Sequence, residues 1–111
     1  GTYAGHRFFS KKTFDSAVTS TNHAGDVDRI LGRPVRWGFG FMLGSTPDVF
    51  GDPRHPRAAG HAGGSAVVSW ADPDERLSVA FLCNSMLSQN AAWERYRKIG
   101  NAVYACFKEV P

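Results

Sequence analysis

Apolar positions first recur at helical spacing where Phe14, Ala17 and Val18 follow Ser10. Ser10 has the side-chain oxygen that accepts from a free first-turn amide, so a short amphipathic helix is predicted over about 10–19. Thr19 to Pro34, with Asn22, Gly25, Asp26 and Asp28, has the chemistry of a surface loop. The period then becomes two. Trp37, Phe39, Phe41 and Leu43 alternate with Gly38 and Gly40, which predicts a strand over about 36–43 with its aromatic face in the core. Glycine on the opposite face implies another backbone or a ligand close by.

Pro47, Pro53, Pro56 and the glycines of 44–60 break regular structure, so this stretch reads as a long loop of the kind that forms functional rims. Val67, Val68 and Trp70 mark another strand, Asp72-Pro-Asp-Glu-Arg76 a turn, and Leu77 to Asn84 a further strand. A link this short joins antiparallel neighbours, giving a hairpin over about 62–84. Asn90 is placed to cap a final helix over about 90–107, with Ala92, Tyr96, Ile99, Val103 and Cys106 as its apolar stripe and Arg95, Arg97 and Lys98 on the wet side. Trp93 and Tyr96 read as packing against the sheet. Helices against an antiparallel sheet of about three strands make an α+β fold.

Composition bounds this picture. With 42% hydrophobic and 21% charged residues the 111-residue chain belongs with folded domains rather than disordered tails. A net charge of +3 arises from basic residues interspersed with acids, which reads as a solvated surface and not a nucleic-acid footprint. Apolar runs such as Val79 to Cys83 are far too short to span a bilayer, and the first residues lack the profile of a secretory signal. The absence of an initial Met and the two bare edges of a three-stranded sheet lead us to expect a longer parent chain or a homo-oligomer. Cys83 and Cys106 read as two buried thiols, a usage that points toward the cytoplasm. His55, His61 and Asp52 fit no common zinc spacing, so neither metal nor cofactor is expected.

The segment richest in chemistry is Gly60-His-Ala-Gly-Gly-Ser-Ala-Val-Val-Ser-Trp-Ala-Asp-Pro73. Glycines at 60, 63 and 64 let a substrate approach the backbone, and an unpaired amide there can donate to an oxyanion. His61 at the strand mouth could aid binding or move a proton. Asp72 and Glu75 read as solvated turn residues rather than a catalytic pair.

Taken in order, Trp37-Gly-Phe-Gly-Phe41, the Pro/Gly loop, Gly60-His-Ala-Gly63, Trp70-Ala-Asp-Pro73, an apolar strand running to Asn84 and a last helix resemble the serine β-lactamase-like family. The likeness is greatest to its class C and family VIII esterase branch, with penicillin-binding-protein-like relatives. The resemblance implies part of a β-lactamase/transpeptidase-like fold and an acyl-enzyme mechanism. By it, His61, Ala62 and Gly63 occupy the third active-site motif, Gly64 donates one oxyanion-hole amide, and Ala62 and Asn84 contact substrate. The family's Ser-x-x-Lys and Tyr-x-Asn or Tyr-x-Ser motifs do not occur in the sequence, so the isolated chain is expected to be inactive. Leu87 falls where class C enzymes carry a polar residue, which favours a small neutral ester, amide or peptide-like substrate over a β-lactam. The rival readings are a scaffold retained for binding or structure, and an independent α+β module.

Overall fold

The Ser10 hydroxyl accepts from the Thr13 amide at 3.0 Å and starts the first helix, as its position predicts. In this computed structural model, which describes residues 1–51, 55–64 and 66–108, that helix is α1 (Lys11–Ala17). Before it, β1 (Thr2–Tyr3) and β2 (His6–Arg7) form a small exposed antiparallel hairpin. After it, β3 (Val27–Asp28) pairs with β4 (Arg33–Pro34), also antiparallel.

The main sheet has four strands where about three were expected: β5 (Met42–Leu43), β6 (Ala59–Gly63), β7 (Val67–Asp72) and β8 (Leu77–Phe81). They are antiparallel and adjacent in chain order, a simple meander. The additional strand is the glycine-rich segment itself. Gly60 is required there because a side chain would put its first carbon 2.0 Å from the Ser69 carbonyl and 2.5 Å from Trp70 Cα.

The strand expected over 36–43 does not form as one piece. Gly40 takes a φ of +75°, open to glycine, and the chain reverses, with Gly38 N–H donating to Phe41 O at 2.8 Å and Trp37 bridged to Met42. Phe39 and Phe41 therefore project from the turn at 68% and 40% exposure instead of entering the core. The expected close approach at the glycines is nonetheless present: the Ala17 carbonyl at the end of α1 lies where a Gly38 side chain would begin.

The stretch after Gly44 is a cover over the core and not an open rim. Thr46, Val49, Phe50, His55 and Ala58 are all buried, and Phe50 stacks on Trp70 at 5.5 Å. Asp52 lies outside the described residues. The second helix, α2 (Gln89–Lys108), begins with Ala92 N–H bonded to Ser88 O, so Asn90 sits inside the first turn rather than capping it. Its buried line runs through Ala92, Trp93, Tyr96, Gly100 and Tyr104, with Ile99 and Val103 half-buried beside it. Cys106, about 200° around the helix from Tyr104, is exposed, which corrects the expectation of a buried thiol; Cys83 is half-buried. No helix among the described residues is long and apolar enough to cross a membrane.

One face of β7 carries Val68, Trp70 and Asp72 into the core. There Asp72, only 1% exposed, accepts from Tyr104 Oη at 2.9 Å and lies 2.9 Å from His55 Nδ1, while its other oxygen takes the amides of Asp74 and Glu75. Asp72 is thus a buried structural carboxylate and not a solvated turn residue. His55 stacks on Tyr104 with centroids 3.5 Å apart, and Trp70 Nε1 donates to Tyr104 Oη at 3.2 Å. This network joins the covering segment, the sheet and α2 at one point.

Candidate active site

Pairing leaves the glycine-rich strand half open. β6 is matched to β7 along its whole length, from Ala59↔Ala71 to Gly63↔Val67, whereas β5 reaches only Ala59 and Gly60. Backbone groups alternate in direction along a strand. Ala58 and Gly60 face β5, so Ala62 presents its amide and carbonyl on the same edge, beyond the end of the partner strand. Gly64 follows in the turn, exposed, with nothing within 4 Å of the place a side chain would occupy.

His61 is exposed on this stretch, and its Nδ1 lies 2.7 Å from the Ala62 carbonyl. A carbonyl only accepts, so Nδ1 carries the proton and Nε2 of the neutral ring is left as an acceptor. The ring rests against Trp37, with centroids 5.6 Å apart. Trp37 is in turn held by its Nε1, which donates to Asp28 at 3.0 Å, and by its amide, which donates to Asn22 Oδ1 at 3.0 Å. The Leu31 amide, then the Ile30 amide and the Trp37 indole, hold the Asp28 carboxyl below the usual aspartate range. Asp28 and Asn22 read from sequence only as loop residues. An Asp two residues before Ile30 and three before Leu31 is the one local signal of this Asx turn.

Beside the end of β6 is a hollow of about 210 Å³ walled by Leu31, Met42, Ala62, Gly63, Gly64, Leu87, Gln89, Ala92, Trp93 and Tyr96. It is smaller than the roughly 300–1,000 Å³ of sites that enclose a drug-sized ligand, so it can take one side of a substrate only. Among the described residues, none in its wall carries a carboxylate, ammonium or guanidinium. Gln89 closes one end by donating to Leu31 O at 2.8 Å, and Tyr96 Oη donates to Gly63 O at 2.8 Å. Burial raises the Tyr96 phenol, which keeps it a neutral donor. Tyr96 read from sequence as packing alone; its 3% exposure agrees with that, while its hydroxyl has this second partner.

The structure thus brings His61, Ala62, Gly63 and Gly64 to one edge, with Ala62, Gly63 and Gly64 in the wall of the hollow. Asn84 is not with them. It lies past the end of β8 at Phe81, exposed, and Leu87 rather than Asn84 faces the hollow. Among the described residues no group of three or more metal-ligating side chains is gathered.

Among curated proteins no relative matches the sequence significantly. The crystal structure of a beta-lactamase from Mycobacterium bovis superposes with a TM-score of 0.71 at 28% identity, over 88% of this chain. This chain spans 38% of the length of that one. The sequence profile of the Beta-lactamase family matches residues 10–103. With nearly the whole sequence and its antiparallel sheet accounted for in this way, the chain belongs to the Beta-lactamase family.

Proposed function

We propose that this chain supplies one wall of the active site of a serine hydrolase that works through an acyl-enzyme, with the attacking serine outside residues 1–111. The observation that carries the reading is the edge of β6 that β5 leaves uncovered beyond Gly60, where Ala62 presents its peptide groups and Gly64 follows in the turn, opening beside a hollow. A substrate carbonyl laid along that edge meets the Gly64 amide. The serine oxygen adds to the carbonyl carbon, negative charge moves to the carbonyl oxygen, and an amide already aimed there stabilises it without reorganisation. One such donor contributes roughly 3–4 kcal/mol to the transition state. The bond to the leaving alcohol or amine then breaks, the leaving group takes a proton, and water releases the acid. His61, through Nε2, accepts a hydrogen bond from substrate or water at the strand edge, and Ala62 offers the peptide groups that align the substrate.

The apolar, uncharged wall with Leu87 in it supports a neutral ester or peptide-like substrate over a β-lactam carboxylate. Asn84, set apart from the hollow, has no part in this version.

The test is labelling of the complete protein with a fluorophosphonate. We expect an adduct on one serine outside residues 1–111, none on the isolated chain, and faster turnover of a p-nitrophenyl ester than of a chromogenic cephalosporin. An unlabelled complete protein would leave a scaffold that binds without catalysis, and a labelled serine within 1–111 would also overturn the assignment.

A further inference from the structure

The Gly63 carbonyl and the Gly64 amide are two ends of one planar peptide unit and point in opposite directions. Glycine on both sides restricts that plane less than other residues would, because neither has a side chain to limit its dihedrals. Beyond the Gly63↔Val67 pairing with β7, one side chain holds it: Tyr96 Oη, 2.8 Å from Gly63 O, donated from the buried face of α2. With the carbonyl held toward the helix, the amide at the other end of the planar unit faces away from it.

We infer that Tyr96 is a positioning residue, whose hydroxyl fixes the Gly63–Gly64 peptide so that the Gly64 N–H is aimed at the substrate carbonyl. The inference rests on the acyl-transfer reading above and adds to it the group that sets the oxyanion donor. Donation to the carbonyl also polarises the amide, which strengthens its N–H as a donor. The Tyr96 ring is separately fixed by an edge-on contact with Trp93, centroids 5.9 Å apart, so the hydroxyl has little freedom to leave.

The experiment compares Tyr96→Phe with Tyr104→Phe in the complete protein. Both lose a buried hydroxyl from the same helix, but the Tyr104 hydroxyl goes to Asp72, away from the site. For Tyr96→Phe we expect kcat and the fluorophosphonate labelling rate to fall roughly 10- to 100-fold, with KM within about twofold, since misaiming a donor acts on the transition state. Tyr104→Phe is expected to lower the melting temperature and keep the labelling rate. The ¹⁵N resonance of Gly64 is expected to move in the first variant and not in the second. A Tyr96→Phe protein that labels at the wild-type rate overturns the inference and leaves the acyl-transfer reading standing. A wild-type protein that does not label overturns both. Should Tyr96→Phe fail to fold, the wild-type phosphonyl adduct decides: Tyr96 Oη still bonded to Gly63 O supports the inference, and a carbonyl turned away from it overturns it.

Discussion

His55 Nδ1 lies 2.9 Å from a carboxylate oxygen of Asp72, and both side chains are buried, at 8% and 1% exposure. The pair ties the segment that covers the core to the last residue of β7, and buried donors left without their acceptor are costly. Asp72→Ala should therefore destabilise the fold by about 3 kcal/mol or more, with Asp72→Asn intermediate because its remaining oxygen still receives the Asp74 and Glu75 amides. Urea midpoints measure both.

Tyr104 donates to the same carboxylate, and burial, reinforced by that hydrogen bond, raises its phenol well above the ordinary tyrosine value. A raised folded-state pKa contributes stability that is complete below the unfolded value of about 10 and is lost as pH rises through the folded one. Wild type should exceed Tyr104→Phe by about 1 kcal/mol at neutral pH, and the margin should shrink above pH ~10. Denaturation of both proteins at a series of alkaline pH values checks this.

Asp28 behaves in the opposite sense. Its carboxyl is held low first by the Leu31 amide and then by the Ile30 amide and Trp37, so its contribution is present above the unfolded aspartate pKa of about 3.9 and is lost as pH falls through the depressed value. The Trp37 indole N–H resonance should shift in that acidic window, and the shift should be absent in Asp28→Asn.

Two glycines four residues apart should respond differently to the same methyl group. At Gly60 it would collide with the backbone of β7, so Gly60→Ala should cost at least about 2–3 kcal/mol; at Gly64 it meets open space, and Gly64→Ala should change stability by less than about 0.5 kcal/mol. Thermal melts of the two variants give the comparison.

The elements marked by a cap or a regular period were legible in the sequence: α1 by its Ser10 cap and half-buried Phe14 and Ala17, the hairpin of β7 and β8, and the stripe of α2. Residues 36–43 were not, because alternation of aromatics with glycine fits both a strand and a turn folded on itself, and only the positive φ of Gly40 decides between them. The covering segment misled for a related reason. Proline and glycine exclude regular structure but say nothing of burial, and Val49, Phe50 and His55 enter the core without any period. At the site, the run from His61 to Gly64 was visible as a motif, while Asp28, Asn22 and Tyr96 act through contacts between residues far apart in the chain, which no local pattern encodes.

The most direct test is a crystal structure of the complete protein carrying a phosphonyl group on its reactive serine. The account predicts the phosphoryl oxygen about 2.7–3.1 Å from the Gly64 nitrogen. An oxygen directed to solvent or to another part of the chain, with the Gly64 amide left unused, would contradict it.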